Sequence, residues 1–262
     1  MCMSSLLNTN CFMTTRYLAT DSAGRTIVSD YTTKTVWIIS ADGMSARILL
    51  GHFHFPEGVA VDSKDRIIVA DRMCHTISVF DPDSLTELFS FGRKGVSHGR
   101  FHEPAGVAVD ADDNIYVADS GNHRVQIFDS TGAFLETFGD EGTEPTEFRA
   151  PSGIAVDQHG RVFVAESQGN RVQVFDNNRT HTLHTFPNLR SPHDVAVDPK
   201  GHVYVTEMGQ CSYKVFSPDT TVPHTIRRTD QRPIGIAVTP HRVIVCTGMC
   251  VKTEVLPAEK LE

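Results

Sequence analysis

Recurring copies of one seven-residue segment constrain this chain more than any other feature. PAGVAVD at 104–110 returns as PEGVAVD at 56–62, PSGIAVD at 151–157, PHDVAVD at 192–198 and PIGIAVT at 233–239, with a degraded copy, YLATD, at 17–21. These segments end at 21, 62, 110, 157, 198 and 239, so successive spacings are 41, 48, 47, 41 and 41 residues. A period in this range marks units that cannot bury their apolar faces alone and must stack on one another. Six such units leave almost nothing over in a chain of 262 residues.

Each unit also repeats internally. After the first run comes an acidic or glycine-containing turn, then a second run such as RIIVAD, NIYVAD or RVFVAE. A polar loop leads to a third run, TISVFD, RVQIFD or RVQVFD, and most units add a weaker fourth, such as TELFSFG or FLETFG. The runs are short, β-branched or aromatic, and alternate with period two. No segment carries a helical period. The pattern predicts an all-β chain folded as a six-bladed β-propeller of four-stranded antiparallel blades, with the first run innermost. The alanine common to every first run (Ala19, Ala60, Ala108, Ala155, Ala196 and Ala237) suits strands that converge near the axis, and the Pro and Gly of that run suit a tight turn into it.

The sixth unit ends after its third run, whereas spare residues precede the first. Leu183 lies 15 residues before Asp198, and Leu6 lies 15 before Asp21. A strand around Ser4–Asn8 is therefore predicted to complete the last blade and remove a sheet edge. The expected division is a closing strand in 1–16 and one propeller domain in 17–262, with the clearest repeats at about 51–92, 95–139, 142–180 and 187–217.

The composition, 40% hydrophobic and 21% charged, is that of a globular domain large enough to bury a core. A net charge of -8 argues against a general polyanion binder. The 6 cysteines are scattered, with Cys246 and Cys250 lacking a second pair, so they read as reduced thiols and not as a disulfide or zinc framework. The N-terminal stretch lacks the basic and apolar regions of a secretory signal, and no run reaches the roughly 20 apolar residues of a membrane helix. The expectation is a cytoplasmic protein with no cofactor and no metal.

The unit resembles the NHL repeat, on P-x-G-[VI]-A-V-D, [IV]-[YF]-V-A-[DE] and N-x-R-[VI]-Q-[VI]-F. Residues 104–139 and 151–175 match closely, and 56–92 match with His75-Thr76 in place of the usual Arg. The chain is similar to the C-terminal propeller of tripartite-motif (TRIM-NHL) proteins, and has no Trp-Asp endings of the WD40 kind. The resemblance implies a recognition module for a protein partner or a structured RNA, with ubiquitin-ligase activity in RING, B-box and coiled-coil segments that these residues do not include.

Recurrence separates structural residues from functional ones. Asp119 with Arg124 and Glu166 with Arg171 recur at equivalent positions, as expected of structural bridges. Asp62, Asp110, Asp157 and Asp198 recur as turn residues. Function belongs where the units differ, on the loops that lead into the inner strands and those between second and third runs, here called the upper face. The opposite turns (DSKDR, DADDN, DPDS) are acidic, while the upper loops carry many Arg, Lys and His. Arg72, Arg100, Arg149, Arg190, His193, Arg232 and Tyr31 are the expected partner-binding residues. The Phe residues before the Pro turns (Phe53, Phe55, Phe101 and Phe148) read as buried staples.

The function expected from the sequence is thus a non-catalytic interaction module that binds a protein or peptide, the substrate-recognition part of a ubiquitin-ligase system, with no DNA and no membrane. RNA binding through the upper-face arginines is the alternative, opposed by the acidic insert DEGTEPTE at 140–147. A metal-dependent propeller lyase or hydrolase is the minor alternative. The peptidyl-hydroxyglycine amidating lyase, a relative of the repeat, holds a metal with histidines near the axis. The matching slot here, one residue after each anchor proline, holds Glu57, Ala105, Ser152, His193 and Ile234. His193 and Glu57 alone fall short of three ligands.

Overall fold

A computed structural model of the chain describes residues 14–255 except 219 and 249. Twenty-three strands and one short 3-10 turn make up the described structure. Five four-stranded antiparallel sheets follow one another, each in simple sequence order, and a sixth contributes three described strands. The inner strands are Thr15–Thr20, Pro56–Val61, Pro104–Val109, Pro151–Val156, Pro192–Val197 and Pro233–Thr239. The all-β six-bladed propeller expected from the repeat is what the chain forms. The predicted closing strand around Ser4–Asn8 lies outside the described residues.

The core is a ring of seams and has no single centre. Six hydrophobic clusters are present, and each joins two neighbouring blades. Ile27, Val36 and Leu49 of blade 1 pack on Phe53, Val59 and Phe80 of blade 2. Leu18, Val28 and Ile39 of blade 1 pack on Ile234, Ile244 and Val251 of blade 6. That last seam closes the ring, and the Thr15 backbone N–H reinforces it by donating to Gly248 O at 3.2 Å. The alternation of the second strands explains the seams: Ile67 and Val69 face blade 1, whereas Ile68 and Ala70 face blade 3.

The recurring alanines pack in these seams, as Ala60 does against blade 3, and also line the axial channel. The channel encloses about 290 Å³ between the inner strands of all six blades.

The glycine of the first run has a different role from the one the sequence suggested. It lies inside the inner strand and makes no turn. A Cβ on Gly58 would stand 2.3 Å from Ala105 O of the next blade, and one on Gly106 would stand 2.3 Å from Ser152 O. Glycine is required there because adjacent inner strands approach backbone to backbone. Tyr17 and Asp194 occupy this position in blades 1 and 5, and the ring differs most at those two seams.

The recurrent turn aspartates hold their turns as predicted: Asp110 Oδ1 accepts the N–H groups of Asp112 and Asn114, each at 2.9 Å. Asp119 and Glu166 are bridged by Arg124 and Arg171 at 2.9 and 2.6 Å. Each arginine also donates to carbonyls of the loop that leads into its own blade, Ser97 and Arg100 for Arg124, and Thr143 and Glu147 for Arg171.

Candidate active site at the upper mouth of the channel

The second residue of each inner strand forms a ring at the upper end of the channel: Arg16, Glu57, Ala105, Ser152, His193 and Ile234. The third position adds Tyr17 and Asp194 to a background of glycine. Blades 2, 5 and 1 thereby bring ionisable groups together on the most rigid elements of the fold.

Glu57 lies at the centre of this cluster and is buried. Its Oε1 is 3.8 Å from Arg16 Nε and 3.5 Å from an Arg72 guanidinium nitrogen. Arg72 also holds Glu103 at 2.5 Å, which fixes its far side. Arg16 lies over the ring of Tyr31 at 4.9 Å, and Tyr31 stacks on Phe55 at 4.5 Å. On the other side Arg16 donates to His193 Nε2 at 3.5 Å, and the His193 ring lies 5.1 Å from that of Tyr17.

Burial governs the protonation of these groups. It raises the Glu57 pKa, and the Arg72 and Arg16 charges only partly offset it. Burial and the nearby Arg16 charge bring His193 down to about 3, so the imidazole is neutral at physiological pH. Asp194 is pushed up to about 7 by burial, although the N–H groups of Ile236 and Val195 donate to its two oxygens. Burial, with Glu57 and Asp194 adding to it, takes the Tyr17 hydroxyl well above its ordinary value.

Four buried polar atoms of this cluster have no hydrogen-bond partner: Arg16 Nε, Tyr17 Oη, Glu57 Oε2 and His193 Nδ1. Buried polar groups are paired in the great majority of cases, since an unpaired one costs about 1–3 kcal/mol. Four such atoms from three blades gather in one buried cluster at the upper end of the inner strands, above the stretch of channel that Tyr17 and Asp194 line.

A divalent cation does not suit this place. Two guanidinium groups already stand on Glu57, both Asp194 oxygens accept backbone N–H groups, and His193 Nε2 faces Arg16. Among the described residues no three metal-ligating side chains gather at the mouth. The positive charge instead favours an anion, or an oxygen on which negative charge develops.

Of the residues expected from the sequence, Arg72, His193 and Tyr31 converge here. Arg149, Arg190 and Arg232 are exposed on the rim, Arg100 is half-buried there, and none of the four makes an ion pair among the described residues. Arg149 and Arg190 donate only their backbone N–H groups, to Glu166 and Glu207. Phe53, Phe101 and Phe148 are buried staples as expected, but Phe55 is half-exposed and belongs to the mouth. Arg16 and Tyr17 were missed because the first unit, TRYLAT, has lost both the proline and the glycine that mark the slot. Counting three residues back from the repeated alanine recovers it: Ala60 leads to Glu57, Ala196 to His193 and Ala19 to Arg16.

The NHL-repeat family model matches residues 53–80, 101–128, 148–175 and 189–212. The chain carries NHL repeats. No curated protein sequence matches it. Solved structures match its fold closely. A gluconolactonase from Xanthomonas campestris superimposes with a TM-score of 0.78 at 17% identity, covering 95% of this chain and 88% of that one. A catalytically inactive virginiamycin B lyase from Staphylococcus aureus with quinupristin superimposes with a TM-score of 0.70 at 14% identity, covering 95% and 83%. A streptogramin B lyase gives 0.68 at 13%, covering 95% and 85%.

These neighbours correct one expectation drawn from the sequence. The reading as a non-catalytic interaction module, with no enzyme activity, is overturned by fold likeness to enzymes over 95% of the chain. Of the resemblance to tripartite-motif propellers, the NHL repeat and the six-bladed fold are what the chain has. The physical reason for the error is local: only histidine and carboxylate ligands in the slot were counted, and a cluster of guanidinium and carboxyl groups is invisible to that count. Among the described residues no helix is long and apolar enough to cross a membrane.

Proposed function

We propose that the chain is a propeller enzyme of the lyase or hydrolase kind, acting at the upper face on a carbonyl-bearing ring compound. The observation that carries this reading is the gathering of four buried polar atoms without a hydrogen-bond partner, on Arg16, Tyr17, Glu57 and His193. The enzymes that share the fold act in the same class, and at 12–17% identity they support the fold and leave the chemistry to the residues.

Glu57 is the proton-transfer group. Burial raises its proton affinity toward the working range of a general base, and its free Oε2 is the atom that takes the proton, from water in hydrolysis or from carbon in elimination. Arg16 and Arg72 flank it and supply positive charge where the carbonyl oxygen becomes anionic in either reaction. His193 is neutral. Its Nε2 accepts from Arg16, which assigns the proton to Nδ1, on the side of the Ile234 carbonyl. Tyr31 and Phe55 hold Arg16 from behind.

The test is ring opening of gluconolactone and of quinupristin by the purified chain, followed for both by release of the carboxylic proton and for the second also by chromatography and mass, since hydrolysis adds one water whereas elimination gives a separable isomer of unchanged mass. Glu57→Gln should lower kcat by a factor of about 10² to 10⁴, the usual share of a general base, with an unchanged melting temperature. Failure of both compounds to open, or turnover unaffected in Glu57→Gln, would overturn the reading.

A further inference from the structure

Blade 2 departs from the repeat at a second place. In blades 3, 4 and 5 the last residue of the second strand is a buried carboxylate matched by a cation. Arg124 Nε meets Asp119 at 2.9 Å, Arg171 Nε meets Glu166 at 2.6 Å and Lys214 Nζ meets Glu207 at 3.0 Å. Blade 2 has the carboxylate, Asp71, only 4% exposed, but not the cation. The residue paired with it across the hairpin, where Arg124 stands opposite Asp119, is Thr76. Two positions further on, where Gln126 donates to Asp119, blade 2 has Ser78. Among the described residues no lysine or arginine pairs with Asp71. A buried carboxylate without a counter-charge is costly.

Two metal-ligating side chains stand where the arginine is missing. Asp71 Oδ1 is saturated by the N–H groups of Phe55, Met73 and Cys74 at 3.0–3.1 Å, whereas Oδ2 accepts the N–H of His54 and faces the Cys74 thiol. Cys74 Sγ lies 3.2 Å from His54 Nδ1, and the sulfur, the imidazole nitrogen and a carboxylate oxygen of Asp71 lie within 4.8 Å of one another. Sulfur and nitrogen ligands of one tetrahedral zinc ion are separated by roughly 3.5 Å, given bond lengths of about 2.3 and 2.0 Å.

We propose that His54, Asp71 and Cys74 bind a zinc ion that takes the place of the arginine or lysine found in blades 3, 4 and 5, with a fourth position facing solvent. A thiolate, an imidazole and one carboxylate suit a borderline-soft divalent metal and not calcium or magnesium. On binding, Cys74 loses its proton to the buffer and Sγ bonds the metal, so affinity rises with pH. The site is separate from the mouth and does not depend on the function proposed there, although the segments His54–Glu57 and Asp71–Cys74 support both.

The experiment titrates the reduced full-length chain with Co²⁺, which reports thiolate ligation by a near-ultraviolet charge-transfer band, and then displaces Co²⁺ with Zn²⁺. One equivalent should bind. Cys74→Ser should abolish the band and weaken binding by at least about 10- to 100-fold, the range that loss of an outer-sphere partner alone produces, while Cys211→Ser and Cys250→Ser leave it unchanged. Thr76→Arg should also abolish it, with all three ligands intact and the melting temperature retained, because the restored guanidinium takes the place of the ion. A band that survives Cys74→Ser, no band in the reduced wild-type chain, or undiminished binding in Thr76→Arg would each overturn the proposal. Lactone opening measured on the same variants separates this outcome from that of the Glu57 reading.

Discussion

The seams that follow blades 2, 3, 4 and 6 and those that follow blades 1 and 5 are built from one repeat and do different things. At the former, Gly58 and Gly106 let the inner strands touch, and the neighbouring backbone fills the space a side chain would need. At the latter, Tyr17 and Asp194 replace that glycine, and the second position turns ionisable as Arg16 and His193. The first kind of seam contributes rigidity with little chemistry. The second holds buried groups whose protonation is far from ordinary. A propeller thus acquires a site by relaxing the repeat in a few blades while the others keep the ring closed.

The largest effect is expected from forcing a side chain into a tight seam. Gly106→Val places Cβ 2.3 Å from Ser152 O, against backbone that cannot turn aside as a side chain can. The ring offers no free edge toward which blade 4 can retreat. The expected loss is more than about 4 kcal/mol, above the usual cost of overpacking, read as a collapse of the denaturant midpoint. A loss under about 1 kcal/mol would show that the seam opens easily.

A single substitution returns a relaxed seam to the repeat. Asp194 has a folded pKa of about 7, raised by burial above its ordinary 3.8. The folded chain therefore binds more protons than the unfolded chain between about pH 4 and 7. Stability from this group is fully present below about pH 4 and is lost as pH rises through 7. Asp194→Gly, the residue the repeat carries elsewhere, should flatten that decline. Relative to the parent, the variant should gain about 2–3 kcal/mol between pH 4.5 and 7.5, given about 1.4 kcal/mol per unit. Denaturant unfolding at the two pH values measures the difference, and identical slopes would mean that Asp194 is ionised throughout.

The contrast between seams also explains what could be read in advance. Blade number, strand order and the structural roles of Asp110, Asp119 and Arg124 were legible because each is written several times over at fixed spacing. The glycine was legible as a marker, but its reason was not, since the contact at Gly58 is with a strand 47 residues on. The site was half legible. Glu57 sits in an intact copy and His193 in one that keeps its proline, whereas Arg16 sits in a copy that has lost both markers. The Thr76 substitution was visible, but the meeting of Cys74 with His54 was not, because their 20-residue separation is closed only by the hairpin and by the loop that Asp71 pins. Sequence periodicity exposes what is repeated, and a functional site consists of departures whose partners it does not pair.

The smallest expected effect separates the mouth from the rim. Arg232 is exposed and makes no ion pair among the described residues, whereas Arg16 is held by Glu57, Tyr31 and His193. Arg232→Ala should change stability by less than about 0.5 kcal/mol, as surface substitutions do, and leave turnover unchanged. Arg16→Ala in parallel should lose turnover, because Glu57 would keep only Arg72 beside it and the developing oxyanion would meet one guanidinium in place of two. If both variants lost turnover equally, the substrate would span the rim, and the basic residues of the upper loops would belong to the site after all. If Arg232→Ala alone reduced it, the reacting groups would lie outside the ring of inner strands, and the polar cluster at the channel mouth would need another explanation.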